Sequence, residues 1–573
     1  MVRRTYKLFV FLLLLSPMIS ICMLSASESI AGPAETLAKL KYSVVTTESL
    51  KLNNVQITKA ELITNDFRYP AYYLVRGKVN ERLGIDGKTY AIGFEMRLPL
   101  AWNGRFLHQM NGGNDGEVIP AEGHPRFLNA VTQISGLARG FAVLSTDAGH
   151  DGKDPANAGL RLAQGNAFGL DPQARADYGY AATGTMVTIA KDIIRHFYGK
   201  YPSYSYLFGC SNGGRHGMVA ASRYPEHYDG ILAGNPGFQL PKAAVQHAWD
   251  VQSFRIANPD IRKSFSRKDM QLVAGKVVEK CDGLDGVEDG LVANLRRCQE
   301  NFKLSELSCP GEKKADCLSA EQVKALDLSM RGPRNSAGEQ LYSNWPYDSG
   351  MGAGNWRFWK IESGIPPWDG MPLIGTMGAG SLSYIFTTPP TKTPGDPASL
   401  LKFLAEFNFD KDAPKIFARD NTFKESSMEM MTPPDVSNPK LDGFKAKGGK
   451  MIIYQGQSDA VLSTNDIVNW YEKLARNYGG DATDFVRLFL VPGMSHCSGG
   501  PAADQFDGLS ALMTWVEAGQ GPDRIIASVD PSNAEIPENW NKKRTRPLCG
   551  WPKIPKYKGG DKEKAESFEC GLP

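Results

Sequence analysis

The run Tyr204-Ser205-Tyr206-Leu207-Phe208-Gly209-Cys210-Ser211-Asn212-Gly213-Gly214 changes character at its midpoint, from aromatic and apolar to small and polar. Residues 204–208 have the composition of a short buried strand, because bulky β-formers pack well on a pleated surface. The run stops at Gly209, and an alanine- and methionine-containing helical stretch follows over 217–223. The glycines permit a sharp bend between strand and helix, which lifts the Ser211 hydroxyl clear of the backbone. The start of the helix favours negative charge developing beside it. No other G-x-S-x-G occurs in the chain.

Strands and helices alternate on both sides of this turn. Residues 140–146 read as a strand, 181–198 as a helix and 230–234 as a strand. Strand and helix signals then resume at 449–454, 464–478, 485–491 and 506–518. Such alternation predicts an α/β class with a parallel sheet between layers of helices. Ahead of it, residues 40–110 read as short strands with turns (71–79, 89–98, 104–107). Between about 245 and 445 the texture changes to interleaved aromatics, prolines and glycines. The division expected is a leader over 1–26, a catalytic domain built from 27–244 and 446–573, and a lid inserted at 245–445.

The length fits that division, since 573 residues exceed what one small core organises. Hydrophobic residues at 42% and charged residues at 22% are ordinary for a globular protein, and 59 Gly with 36 Pro suggest abundant loops. Arg3, Arg4 and Lys7 precede an apolar run at 8–15, with small residues at Ser25-Ala26. That layout reads as a secretory signal peptide, and the run is too short for a stable bilayer span. A buried N-terminal helix is the bland alternative. Lipid attachment at Cys22 is another, opposed by the bulky Ile21 before it. Those three basic residues match the formal excess of +3, so the exported chain is near neutral. This gives no reason to expect nucleic acid or an anionic membrane as partner. A secreted or periplasmic location follows. Loss of Cys22 leaves eight cysteines, an even number that reads as disulfides in an exported chain.

A serine hydroxyl needs a base, and the base needs an orienting carboxylate. Asp459, in Gly456-Gln457-Ser458-Asp459, follows the strand signal at 449–454. His496, in Pro492-Gly493-Met494-Ser495-His496-Cys497, follows the one at 485–491. Both thus fall where open α/β sheets gather ligands, and the order Ser, Asp, His is that of an α/β-hydrolase fold. His496 is the sole histidine after residue 247. Asp481 and Asp484 are rivals to Asp459, but neither follows a strand. The oxyanion hole is expected at the backbone N–H of Asn212 together with Gly112 or Gly113, in a glycine-rich loop after an early strand. Cys210 and Cys497 adjoin Ser211 and His496, so a meeting of those two would bring the cysteines into bridging range. Otherwise Cys210 simply packs in the turn.

Taken together the motifs resemble the tannase and feruloyl esterase family. The residues that carry the likeness are Gly209-Cys210-Ser211-Asn212-Gly213-Gly214-Arg215, Tyr224-Pro225-Glu226-His227-Tyr228-Asp229-Gly230, Gly456-Gln457-Ser458-Asp459 and Gly493-Met494-Ser495-His496-Cys497. The resemblance implies a serine esterase acting on small aromatic carboxylic esters of gallate, ferulate, other phenolic or phthalate type. It implies catalytic Ser211, Asp459 and His496, and a bridge between Cys210 and Cys497. It also implies the pairings Cys281–Cys298, Cys309–Cys317 and Cys549–Cys570. In Cys281-Asp282-Gly283-Leu284-Asp285-Gly286-Val287-Glu288-Asp289-Gly290-Leu291, the spacing alone suits a solvated acidic turn as well as a metal site. The resemblance implies a structural Ca2+ there, held by Asp282, Asp285 and Asp289 with the carbonyls of Val287 and Leu291.

Two departures stand out: the glycine loop has only two consecutive glycines, and no cysteine lies between 22 and 210. The aromatics Trp345, Trp356, Phe358, Trp359 and Trp368 either wall a substrate pocket or form the lid's own core. Competing functions are a secreted peptidase on the same scaffold, and a non-catalytic, calcium-stabilised binding protein.

Overall fold

The computed structural model describes residues 42–124 and 135–573. The leader expected at 1–26, with Cys22, lies outside the described residues. A nine-stranded sheet forms the centre, in the order β1-β2-β3-β5-β4-β6-β7-β8-β9. These strands are β1 (Val55–Ile63), β2 (Tyr72–Leu83), β3 (Thr89–Pro99), β4 (Arg105–Gln109), β5 (Ala142–Thr146), β6 (Tyr204–Cys210), β7 (Gly230–Gly234), β8 (Lys450–Gly456) and β9 (Val486–Val491). From β5 through β9 every pairing is parallel. The pairings β1–β2, β2–β3 and β3–β5 are antiparallel.

The burial pattern explains the difference. β5 and β7 are buried at every position, as strands covered on both faces must be. Residues 75–80 of β2 alternate buried and exposed, and one-sided burial suits an antiparallel margin. Along β6, Leu207 enters one core while Tyr206 and Phe208 enter the core on the opposite face. The helix Ala182–Tyr198 covers the Leu207 face with Met186, Val187, Ala190, Ile193, Ile194 and Phe197, and stops at Gly199 with φ of 78°. Helical spacing of these apolar residues is what makes them one stripe.

Between β7 and β8 the chain leaves the sheet. Residues 240–446 contribute no strand to it and supply most of a largely helical cluster of buried side chains, which Phe168, Tyr178 and residues 460–462 join. Its first helix, Leu240–Ala257, runs straight across residue 245, so the insertion begins with the whole helix. After the helix Gly508–Ala518 come two small antiparallel pairs, β10 (Arg524–Ser528) with β11 (Thr545–Cys549) and β12 (Ile554–Tyr557) with β13 (Phe568–Gly571). These have no counterpart among the sequence expectations.

Candidate active site

Ser211 sits between β6 and the helix Asn212–Arg223, at φ 63° and ψ −123°. That left-handed backbone is unfavourable for a residue with a Cβ, and it is held by its surroundings. Ser211 N–H donates to Gly234 O at 2.9 Å, and Ser211 O accepts from the N–H of Arg215 at 3.0 Å. The flanking glycines are required by space. A Cβ on Gly209 would lie 2.7 Å from Gly213 C, and one on Gly213 would lie 2.7 Å from Asn111 O.

His496 stands on the loop after β9, with its Nε2 2.9 Å from Ser211 Oγ and its Nδ1 2.9 Å from Asp459 Oδ2. Asp459 is only 1% exposed, His496 7% and Ser211 9%, so the relay is almost closed to water. Burial opposes ionisation of Asp459, yet the His496 charge and the bonds from His496, Asn235 and Leu462 outweigh it. The carboxyl stays below its ordinary range. Asp459 Oδ1 accepts from the N–H groups of Val461 and Leu462, and Oδ2 accepts from Asn235 Nδ2 at 2.7 Å. An ionised Asp459 that is the acceptor at Nδ1 leaves Nε2 as the lone-pair nitrogen facing the serine. The rivals lie elsewhere: Asp484 pairs with Lys445, and Asp481 accepts from Thr483 N–H.

The disulfide Cys210–Cys497 joins the end of β6 to the residue after His496 and spans 287 positions of sequence. In a chain-entropy picture, closing a loop this long restrains the unfolded chain by about 6 kcal/mol. It also ties the loops of Ser211 and His496 together directly beneath their contact. The other bridges are Cys281–Cys298, Cys309–Cys317 and Cys549–Cys570.

Gly113, Asn114, Ser211 and Asn212 line one pocket together, and Gly112 is not among its lining residues. Asp115 fastens this glycine loop to the serine helix. Its Oδ2 accepts from Asn212 Nδ2 at 2.7 Å and lies 2.9 Å from His216 Nε2. Of the lid aromatics, Trp359 faces the site and sets its ring edge-on to His496, with centroids 5.0 Å apart. Trp345 donates from Nε1 to Asp459 O, Trp356 is lid core, and Phe358 and Trp368 pack on each other.

The model of the family "Tannase and feruloyl esterase" matches residues 78–571. The chain belongs to that family. A mono(2-hydroxyethyl) terephthalate hydrolase of Piscinibacter sakaiensis is 40% identical over 530 residues, 88% of this chain and 85% of that one. A probable feruloyl esterase of Arthroderma benhamiae is 30% identical, covering 85% of this chain and 83% of the relative. Feruloyl esterase B from Aspergillus oryzae shares the fold with a TM-score of 0.69 at 22% identity, over 91% of this chain and 97% of that one. The tannin acyl hydrolase from Aspergillus niger does so at 0.63 and 20%, over 94% and 96%. This member of the tannase and feruloyl esterase family is therefore a carboxylic ester hydrolase with an α/β-hydrolase-like fold.

Two supports in this esterase had escaped the sequence. Asn235, just after β7, fixes Asp459 as described and itself has a positive φ of 36°. Asp348, from the segment between β7 and β8, is wholly buried and accepts at Oδ2 from Ser458 Oγ at 2.6 Å and from Gly493 N–H at 2.9 Å. One carboxylate of the inserted segment thus braces both the loop of Asp459 and the loop of His496. Burial pushes it up to about 6, against those two bonds.

The acidic loop is buried at Asp282, Asp285 and Asp289. Asp282 accepts from the N–H groups of Asp289 and Gly290, and Asp289 is paired with Arg546. Oxygen-only donors and three buried carboxylates with one guanidinium between them suit a hard divalent cation. Among the described residues, no group of three or more His, Cys, Asp or Glu side chains is already disposed around a metal position.

Proposed function

We propose that the protein is an exported serine esterase that cleaves aromatic carboxylic esters through an acyl-enzyme. The observation that carries this is the relay of two 2.9 Å contacts from Asp459 through His496 to Ser211. Ser211 Oγ attacks the ester carbonyl carbon as its proton passes to His496 Nε2, and the imidazolium is stabilised by Asp459. The carbonyl oxygen takes up the negative charge within reach of the N–H groups of Asn212 and Gly113. Collapse of the tetrahedral intermediate breaks the bond to the alcohol oxygen, which leaves with the proton from His496. Water then repeats the sequence on the acyl-serine, and the carboxylic acid departs.

The aromatic acid class is supported by relatives named for terephthalate and feruloyl esters. Export is supported by four disulfides, which belong to oxidising compartments. Among the described residues no helix is long and apolar enough to cross a membrane. Purified protein should hydrolyse methyl esters of hydroxybenzoic, hydroxycinnamic or terephthalic acids and leave the matching anilides untouched. Anilide cleavage at comparable rates would replace this reading with a peptidase.

We further propose that Asp282, Asp285 and Asp289, with the carbonyls of Val287 and Leu291, hold a structural Ca2+ that stiffens the lid. A cation bound only by the folded state adds to its stability. Chelation is expected to lower the melting temperature by roughly 5 °C or more, recovered by added Ca2+. An unchanged melting temperature would remove the site.

A further inference from the structure

We propose that His247 reads the acyl ring of the substrate by hydrogen-bonding an aromatic hydroxyl, so that phenolic acyl groups are preferred over acyl groups bearing a second carboxylate. This rests on the ester-hydrolase reading of Ser211 and names its substrate class.

His247 reaches the site from the first lid helix. Leu240, Ala243 and His247 stand three and four residues apart on Leu240–Ala257, which puts them on one helical face. That face lines the same pocket as Ser211, Gly113 and Trp359. The remaining wall is mostly apolar, with Met377, Phe386, Val461 and Leu462. The opposing helix Met377–Tyr384 leaves room for the imidazole only because residue 378 is glycine. A Cβ there would stand 2.6 Å from His247 Cδ2. Ser381, another polar group of the pocket, is already engaged, with Oγ 2.7 Å from its acceptor Met377 O and 3.0 Å from Asn114 Oδ1. His247 has no hydrogen-bond partner among the described residues. An imidazole half-buried in an apolar pocket without a protein partner is suited to a ligand atom, since leaving it unmatched is costly.

The chemistry of that ligand atom follows from the ring's surroundings. Burial and the nearby Lys360 charge push His247 down to about 3, so the ring is neutral at neutral pH. A neutral imidazole offers one donor and one acceptor, and a phenolic hydroxyl can accept or donate in return. A carboxylate in the same place would lose its hydration and needs a cation. The described residues lining the pocket include no lysine or arginine. Lys360 is held back by Asp250, at 2.5 Å in a fully buried pair.

The test compares kcat/KM of the full chain for methyl 4-hydroxycinnamate, methyl cinnamate and monomethyl terephthalate. The hydroxylated ester is expected to exceed the unsubstituted one by about tenfold or more, because a site built to bond a hydroxyl penalises its loss. The half-ester is expected to be the poorest of the three. His247→Leu should collapse the hydroxyl preference toward unity, and His247→Gln, which keeps a donor and an acceptor, should retain part of it. A wild-type preference for the half-ester overturns the proposal, as does a hydroxyl preference that survives His247→Leu. If the leucine variant fails to fold, the wild-type ratios and the glutamine variant decide. Failure of the underlying reading has a different signature: p-nitrophenyl acetate hydrolysis that persists in Ser211→Ala, whatever the wild-type ratios are.

Discussion

Ser211→Ala is expected to lower kcat for any accepted ester on the order of a million-fold, the scale on which serine hydrolases lose a nucleophile. The backbone at residue 211 is set by its bonds to Gly234 and Arg215 and by the glycines around it, none of which involve the hydroxyl. Alanine keeps the Cβ and loses only Oγ, so the melting temperature should stay within a few degrees of wild type, as a change of about 1 kcal/mol allows. Loss of activity with an intact fold separates a chemical role from a structural one. Covalent labelling by a fluorophosphonate should vanish in the same variant, because the phosphorus–oxygen bond forms at Oγ. Ester hydrolysis and labelling that both persist in Ser211→Ala would place the nucleophile elsewhere and sink the mechanism.

The parts of this site that are legible in sequence are those whose chemistry coincides with a local pattern. Ser211, Asp459 and His496 each follow a strand of a parallel sheet, and such strands announce themselves as short apolar runs. Cys210 and Cys497 could be paired because each adjoins one of them. Asn235 follows β7 at the same edge of the sheet, so position alone could have nominated it. Its role, however, depends on reaching Asp459 across 224 residues of chain. Asp348 is further from view, since nothing in its neighbourhood marks a residue that will meet Ser458 and Gly493. His247 looks like any other polar residue of a helix that buries polar and apolar side chains alike until Gly378 is seen opposite it. The antiparallel arrangement of β1 to β3 needed the burial pattern, and β10 to β13 are too short to stand out, with Pro interrupting β11 and β12. Tertiary partnership, rather than propensity, decides each of these.

Asp459→Asn carries the second large effect. The change keeps size and shape but replaces an acceptor-only carboxylate with an amide that can turn its NH2 toward His496. His496 Nδ1 would then accept, its proton would move to Nε2, and the nitrogen facing Ser211 would no longer be able to take the hydroxyl proton. A drop of about 10^4 in kcat is expected, the scale seen when a triad carboxylate is lost elsewhere, with KM little altered. The amide also leaves the N–H groups of Val461 and Leu462 and the amide of Asn235 with a weaker acceptor, in a site only 1% exposed. Linkage gives this a pH signature. A carboxyl held below its ordinary range when folded adds stability above the unfolded pKa near 3.9, and that stability is lost as pH falls through the folded value. Wild type should therefore be the more stable protein at neutral pH, and the two melting temperatures should converge as the solution is acidified. A variant that keeps near-normal kcat, or whose stability deficit stays constant down to pH 3, would show that Asp459 neither orients His496 nor stands ionised beside it.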